Sequence, residues 1–163
     1  MKIKSCEGSV LIVTLLLMVM LTAMATTQIS YNKTQLHIAT NSADVQIAFH
    51  TAEGALNEAI NNLLAGTYTS SSFLSNLNGL YLPDPSSAAL WTTVDWNSNN
   101  AVIKSFQGQS NAQAAYIIEQ LPSVVKPGQN MNSPTQVYRI TARAVGASGN
   151  SVVILQSTEQ LQQ

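Results

Sequence analysis

The sequence predicts an α+β chain. A long N-terminal helix, transmembrane in its first half, lies by its amphipathic second half on a small antiparallel β-sheet. Three observations predict this. Residues 9–25 are an apolar run, and no charge stands between Glu7 and Lys33. Apolar residues then recur at helical spacing as far as Leu63. Near the C-terminus, three runs instead carry strand patterning.

The apolar run is long enough to matter, because about 20 apolar residues at 1.5 Å each span a bilayer core of about 30 Å. It is rich in Leu and Met and contains neither Pro nor Gly, so nothing in it opposes a helix. Before it lies a short basic leader, residues 1–8, with Lys2 and Lys4. That charge places the N-terminus in the cytoplasm and the chain beyond Lys33 on the other side. Ala23, Ala25 and Thr27 imitate the cleavage site of an ordinary secretory signal, but the apolar stretch is longer than such a signal needs and runs on into more helix.

Past Thr26, Ile29, Leu36 and Ala43 are spaced by seven. Phe49, Ala52, Leu56, Ala59 and Leu63 follow at steps of three and four, the stripe of a helix with one apolar face. Gly54 costs about 1 kcal/mol relative to Ala without ending the pattern. Gly66 sits where a capping glycine belongs, so one helix is expected over residues 9–64. Phe49, Ala52, Glu53, Leu56 and Leu63 are the expected contacts with the head.

Residues 65–163 form that head, and about 100 residues suffice for one small domain. Its first part, 66–100, is dominated by Ser, Asn, Gly, Thr and Pro, which punctuate structure rather than propagate it. Leu74, Leu77, Leu80 and Leu82 are expected to tether this loop region, and at least one of Trp91 and Trp96 to be buried in a short irregular segment. Strands are expected over 114–121, ending at Pro122, over 137–145 and over 151–158, with a weaker one over 101–106. In the second, Tyr138, Ile140, Ala142 and Ala144 share one face, while Arg139, Thr141 and Arg143 share the other. Residues 146–150 make a hairpin loop by composition, and 123–134 a long surface loop.

Composition narrows the function. Charged residues are 9% of 163 and the net charge is −1, so no basic patch points to nucleic acid. Cys6 is the sole cysteine; it precedes the apolar run, which excludes an intramolecular disulfide and a lipid anchor after the run. His37 and His50, thirteen apart without Cys or His-Glu neighbours, read as helix-surface residues rather than metal ligands. Glu53 and Glu58 read as solvated helix charges, and Arg139 and Arg143 as solvated or paired ones. Asp95-Trp-Asn97-Ser-Asn99 opens like a calcium loop, but Asn100 replaces the glycine and Phe106 the closing glutamate, so an Asn-rich turn is expected. No phosphate-binding loop or nucleophile motif occurs, so neither catalysis, cofactor nor metal is expected.

A basic leader ending in Gly8, with an apolar helix directly after it, resembles the signal of type IV prepilins. In that family a dedicated prepilin peptidase cleaves after the glycine and methylates the new N-terminus. The resemblance thus implies cleavage after Gly8 and an N-methylated Ser9. Type IV pilins usually carry Glu at the fifth mature position; here Val13 stands there, and Ser9 replaces the common Phe or Met. PilX-type minor pilins are more similar. They share a Leu-rich opening, an Ala48-Phe49-x-x-Ala52-Glu53-x-x-Leu56 pattern, a Tyr138-Arg139-Ile140-Thr141-Ala142 strand and a Val-rich final strand after a glycine turn. The likeness covers about 1–64 and 136–160.

What this resemblance implies is a minor pilin that helps to initiate pilus assembly within a tip or priming complex. Leu11, Leu15, Leu16 and Leu17, with Val13 in place of the Glu, would pack in the filament core. Other minor pilins, the major pilin, the inner-membrane assembly machinery and a tip adhesin would be its partners. It would sit in the inner membrane with a periplasmic head and then in the pilus at the cell surface. Two rival readings differ in class. A membrane-anchored binding or sensor domain outside any filament would keep its leader intact. A secreted enzyme would need a catalytic constellation, and the sequence has none.

Overall fold

A computed structural model describes residues 7–105, 113–128 and 134–162. The leader residues 1–6, with Lys2, Lys4 and Cys6, lie outside these, as do Phe106 and part of the 123–134 loop. The first helix, α1, spans Glu7–Leu64. The chain divides into two compact units, Met1–Ser42 and Ala43–Gln163.

In the first unit every side chain described from Ser9 to Ser42 is exposed. The threonine hydroxyls in this stretch are satisfied within the helix. Thr14 donates to the Leu11 carbonyl at 2.9 Å, Thr26 to Ala23 at 2.9 Å and Thr27 to Ala23 at 2.8 Å. A threonine that bonds its own preceding turn presents only its methyl group outward, which suits an apolar surrounding.

The second unit is an α+β head. After α1 come a 3₁₀ turn (Ser70–Ser75), β1 (Leu80–Tyr81), α2 (Leu90–Thr93), β2 (Ile103–Lys104), β3 (Gln113–Val124), β4 (Thr135–Val145) and β5 (Val152–Gln162). The sheet runs β1-β3-β4-β5, with β2 also on β3. β3, β4 and β5 are antiparallel, as is β2 on β3, but β1 is parallel to β3, so the small sheet is mixed rather than wholly antiparallel. The expected 101–106 strand shrinks to the two residues of β2. Pro122 does not end β3; the strand continues to Val124 across a register shift between Leu121 and Val124. An irregularity is where a strand tolerates a residue without an N–H to donate.

The core lies between α1 and the sheet. Ala48, Ala52, Ala55 and Ala59 are fully buried and Leu63 nearly so, and the last four pack with Tyr116, Ile118, Tyr138, Ile140, Ala142 and Ala144. Alanines on both surfaces let helix and sheet approach closely. A second, smaller cluster on the opposite face sets Val102 against Ala115 and Ile117, with Tyr81, Leu90, Val94 and Trp96 beside it. β3 is therefore covered on both faces, which is why it reads as an almost unbroken apolar run.

The loop region is fastened differently from expectation. Phe73, not a leucine of the series, is fully buried beside Tyr138 at 5.6 Å between rings. Leu80 is buried in β1, whereas Leu74, Leu77 and Leu82 are exposed. Neither indole is buried: Trp91 is exposed and Trp96 half-buried, its N–H donating to the Trp91 carbonyl at 3.2 Å. A polar segment pays little to stay at the surface, so one aromatic plug and one short strand hold it. Gly79 makes that strand possible. It has φ +76°, its carbonyl accepts from the Ile118 N–H at 2.8 Å, and a Cβ there would meet Ile103 at 2.7 Å.

Candidate functional site

Three features stand out among the described residues: an uncovered apolar helix, a lock between helix and hairpin, and a buried ion pair.

The uncovered helix carries the residues expected to pack with other helices. Leu11, Val13, Leu15, Leu16 and Leu17 are each more than half exposed. They surround the helix rather than forming a stripe, so any environment that matches them must be apolar on all sides. α1 is also the described helix that is long and apolar enough to cross a membrane. Ser9 is exposed at its start.

Within the head, the face of α1 that meets the sheet keeps most of the expected stripe and differs at its first position. Ala52 and Leu63 are buried and Leu56 is partly buried against the core. Phe49 is 44% exposed and Glu53 is exposed, paired at 3.5 Å with the equally exposed His50. Phe49 and Glu53 therefore do not pack on the head, a correction to the expected contact set. The neighbouring Ala48 takes the inward position because an alanine row fits the close helix–sheet gap and a phenyl ring does not. Glu58, expected to be solvated, is half-buried and accepts from the Ser105 hydroxyl at 2.7 Å.

The lock is Asp44. It is 8% exposed and lies at the first turn of α1 that belongs to the head. Its carboxylate accepts from the Ser148 N–H at 2.9 Å and the Ser148 hydroxyl at 2.7 Å, both in the β4–β5 loop. Hydrogen bonds from Ser151 and Ser148 hold its pKa down at about 2. Gly146 completes the fit, since a Cβ there would collide with the carboxylate. Nothing local in the sequence links residue 44 to residue 148, and no periodicity could have found the pair.

The ion pair is Glu119 with Arg139, directly opposite in the β3–β4 register. The Arg139 Nε and Nη2 donate to the two carboxylate oxygens at 2.8 and 2.7 Å. Glu119 is 1% exposed, and its hydrogen bonds raise the Arg139 pKa further. Part of a signal for it was present: one acid in an apolar strand and two arginines, Arg139 and Arg143, on the partner strand, of which the register selects Arg139. Arg143, four residues on, lies 6.0 Å from the Trp96 ring centroid. Tyr116 is raised in pKa, first by burial, and its hydroxyl accepts from Asn62 at 3.1 Å and bonds Tyr68 at 3.2 Å. In the 95–100 turn, Asp95 accepts from the Asn97 N–H at 3.0 Å, the bond of an Asx turn. Among the described residues no group of three or more His, Cys, Asp or Glu could hold a metal ion.

A family model described as type IV pilus assembly protein PilX, C-terminal region, matches residues 26–160, most of the chain. No curated protein matches, and no solved structure matches.

Proposed function

We infer the function of this chain from its family: it belongs to the type IV pilus assembly protein PilX family. Its role is that of a minor pilin, a membrane-anchored structural component of the pilus and not a catalyst. The match over 26–160 is the observation that carries this reading. The uncovered apolar half of α1 supports it, since that surface suits first a bilayer and then the helices of a filament.

The finer proposal is that the chain primes assembly at the pilus tip. A pilin glutamate at the fifth mature position neutralises the N-terminal amine of the subunit ahead. Val13 cannot do this, and a first subunit has none ahead of it. A carboxylate left in hydrocarbon without a partner costs several kcal/mol, so valine suits that place. Processing after Gly8, methylation of Ser9, a cytoplasmic N-terminus and a periplasmic head belong to the same proposal. Other minor pilins, the major pilin, the prepilin peptidase, the assembly machinery and a tip adhesin are its proposed partners.

The test is the N-terminal residue and mass of the protein taken from host membranes. An N-methylated Ser9 is expected. An intact Met1 would leave a plain membrane anchor, and cleavage near 25–27 a soluble secreted head; either overturns the proposal. Restoring glutamate at Val13 is expected to impair priming, and unchanged assembly and position would remove the basis for the tip placement.

A further inference from the structure

The last strand leaves a long hydrogen-bonding edge open. Among the described residues β5 pairs only with β4, in eleven consecutive registered pairs without a bulge. The Gly146 N–H donates to the Ser151 carbonyl at 2.8 Å, which fixes the phase of the ladder. In an antiparallel pair, hydrogen-bonded and non-hydrogen-bonded pairs alternate. Odd residues of β5, from Val153 to Leu161, therefore exchange their bonds with β4. Even residues Val152, Ile154, Gln156, Thr158, Gln160 and Gln162 direct both N–H and C=O at the free edge. The same even residues are exposed on the outer face, while Val153, Leu155 and Leu161 pack on the core.

Natural sheets blunt such edges with Lys, Pro, bulges or very short strands. The opposite edge of this sheet is blunted in that way, by the two-residue strands β1 and β2. β5 contains no Lys, Arg, Pro or Gly, and its one charge is Glu159.

We propose that the β5 edge receives an extended segment of another pilus-assembly chain, which adds to the sheet as a further antiparallel or parallel strand. A second copy of this chain is the poorer occupant. Full antiparallel overlap of β5 with itself satisfies the hydrogen bonds, but β5 carries no Lys or Arg, so a second copy offers no cation to Glu159. The segment accepted has apolar residues at alternate positions, to continue the face of Val153, Leu155 and Leu161. It carries Lys or Arg beside Glu159, where the non-hydrogen-bonded spacing brings side chains closest.

The identity of the partner rests on the pilus reading; strand addition does not. The experiment places a photo-cross-linking amino acid at Gln156 or Gln160 of the full chain in piliated host cells and maps the cross-linked residues. Both positions are expected to label one short segment of one pilus subunit, about four residues apart and in a fixed order. A second variant, Gln156→Pro, removes an outward N–H together with the side-chain bond from Gln156 to the Thr141 hydroxyl at 2.9 Å, and is expected to lower the Gln160 cross-link at least tenfold while the head still melts cooperatively. Scattered labelling, no labelling, or an undiminished signal in the folded Gln156→Pro variant would each overturn strand addition, and ordered labelling of a second copy would overturn the choice of partner. Ordered labelling of a chain outside the pilus would overturn the choice of partner and, separately, count against the pilus reading.

Discussion

The two halves of α1 are one continuous helix and obey different rules. From Ser9 to Ser42 its side chains are exposed on every side, and its threonines bond only their own preceding turns. From Ala43 to Leu64 it buries one row of small residues against a sheet and is anchored by Asp44. The first half is finished as a helix and unfinished as a fold, because its surroundings must be supplied by lipid or other helices. The second half is already folded. Helix formation therefore says nothing by itself about stability here; the packed face decides it.

Substitutions can break that contrast, and the largest effect is expected in the head. Arg139→Ala leaves the Glu119 carboxylate buried without its partner, which costs about 3–5 kcal/mol for a buried pair. The low end is expected because the Arg139 side chain is 31% exposed. Thermal unfolding of the full chain in detergent reads it. Next comes one substitution placed in both halves. Ala55→Leu forces a larger side chain into the helix–sheet gap, at about 1–3 kcal/mol. Ala25→Leu lies on the exposed half and should leave the melting of the head unchanged. Since Ala and Leu are both good helix formers, the difference reports packing. Equal effects at the two sites would erase the distinction drawn between the halves.

Acid titration sharpens the comparison further. The Asp44 pKa is about 2 when folded and 3.8 in its ordinary state, so its carboxylate stabilises the head above about pH 4. That contribution is lost as pH falls from about 4 to about 2, because protonation breaks the bonds to Ser148 and Ser151. Asp44→Asn should flatten this part of the melting-temperature profile while leaving helix content at neutral pH intact, as circular dichroism would show. Smallest of all is Leu16→Ala, with no measurable change in the head's stability. Its effect should appear only where the apolar surface is used, as weaker retention in membranes or filaments.

Much of this was legible in the sequence because it is local. Alternation assigned Tyr138, Ile140, Ala142 and Ala144 to the buried face of β4, and the structure places them in the core. The 146–150 turn and the long helix were equally plain. The expected helix stripe placed Ala52, Ala59 and Leu63 on the buried face, where they lie, but took Phe49 in place of Ala48, since a search for large apolar residues favours the phenyl ring. Glu58 looked like a solvated helix charge until its partner Ser105 was known.

Composition and periodicity alone determined an apolar helix continuous with an amphipathic one, three main strands and, for β4, the face turned inward. They act within a few residues, where backbone geometry and hydrophobic spacing suffice. Only the tertiary structure decided which helix face meets the sheet, that Phe73 plugs the loop region, that β1 runs parallel to β3, and that Asp44 closes on Ser148. Each depends on groups far apart in the chain, and their energy exists only once folding has brought both partners out of water.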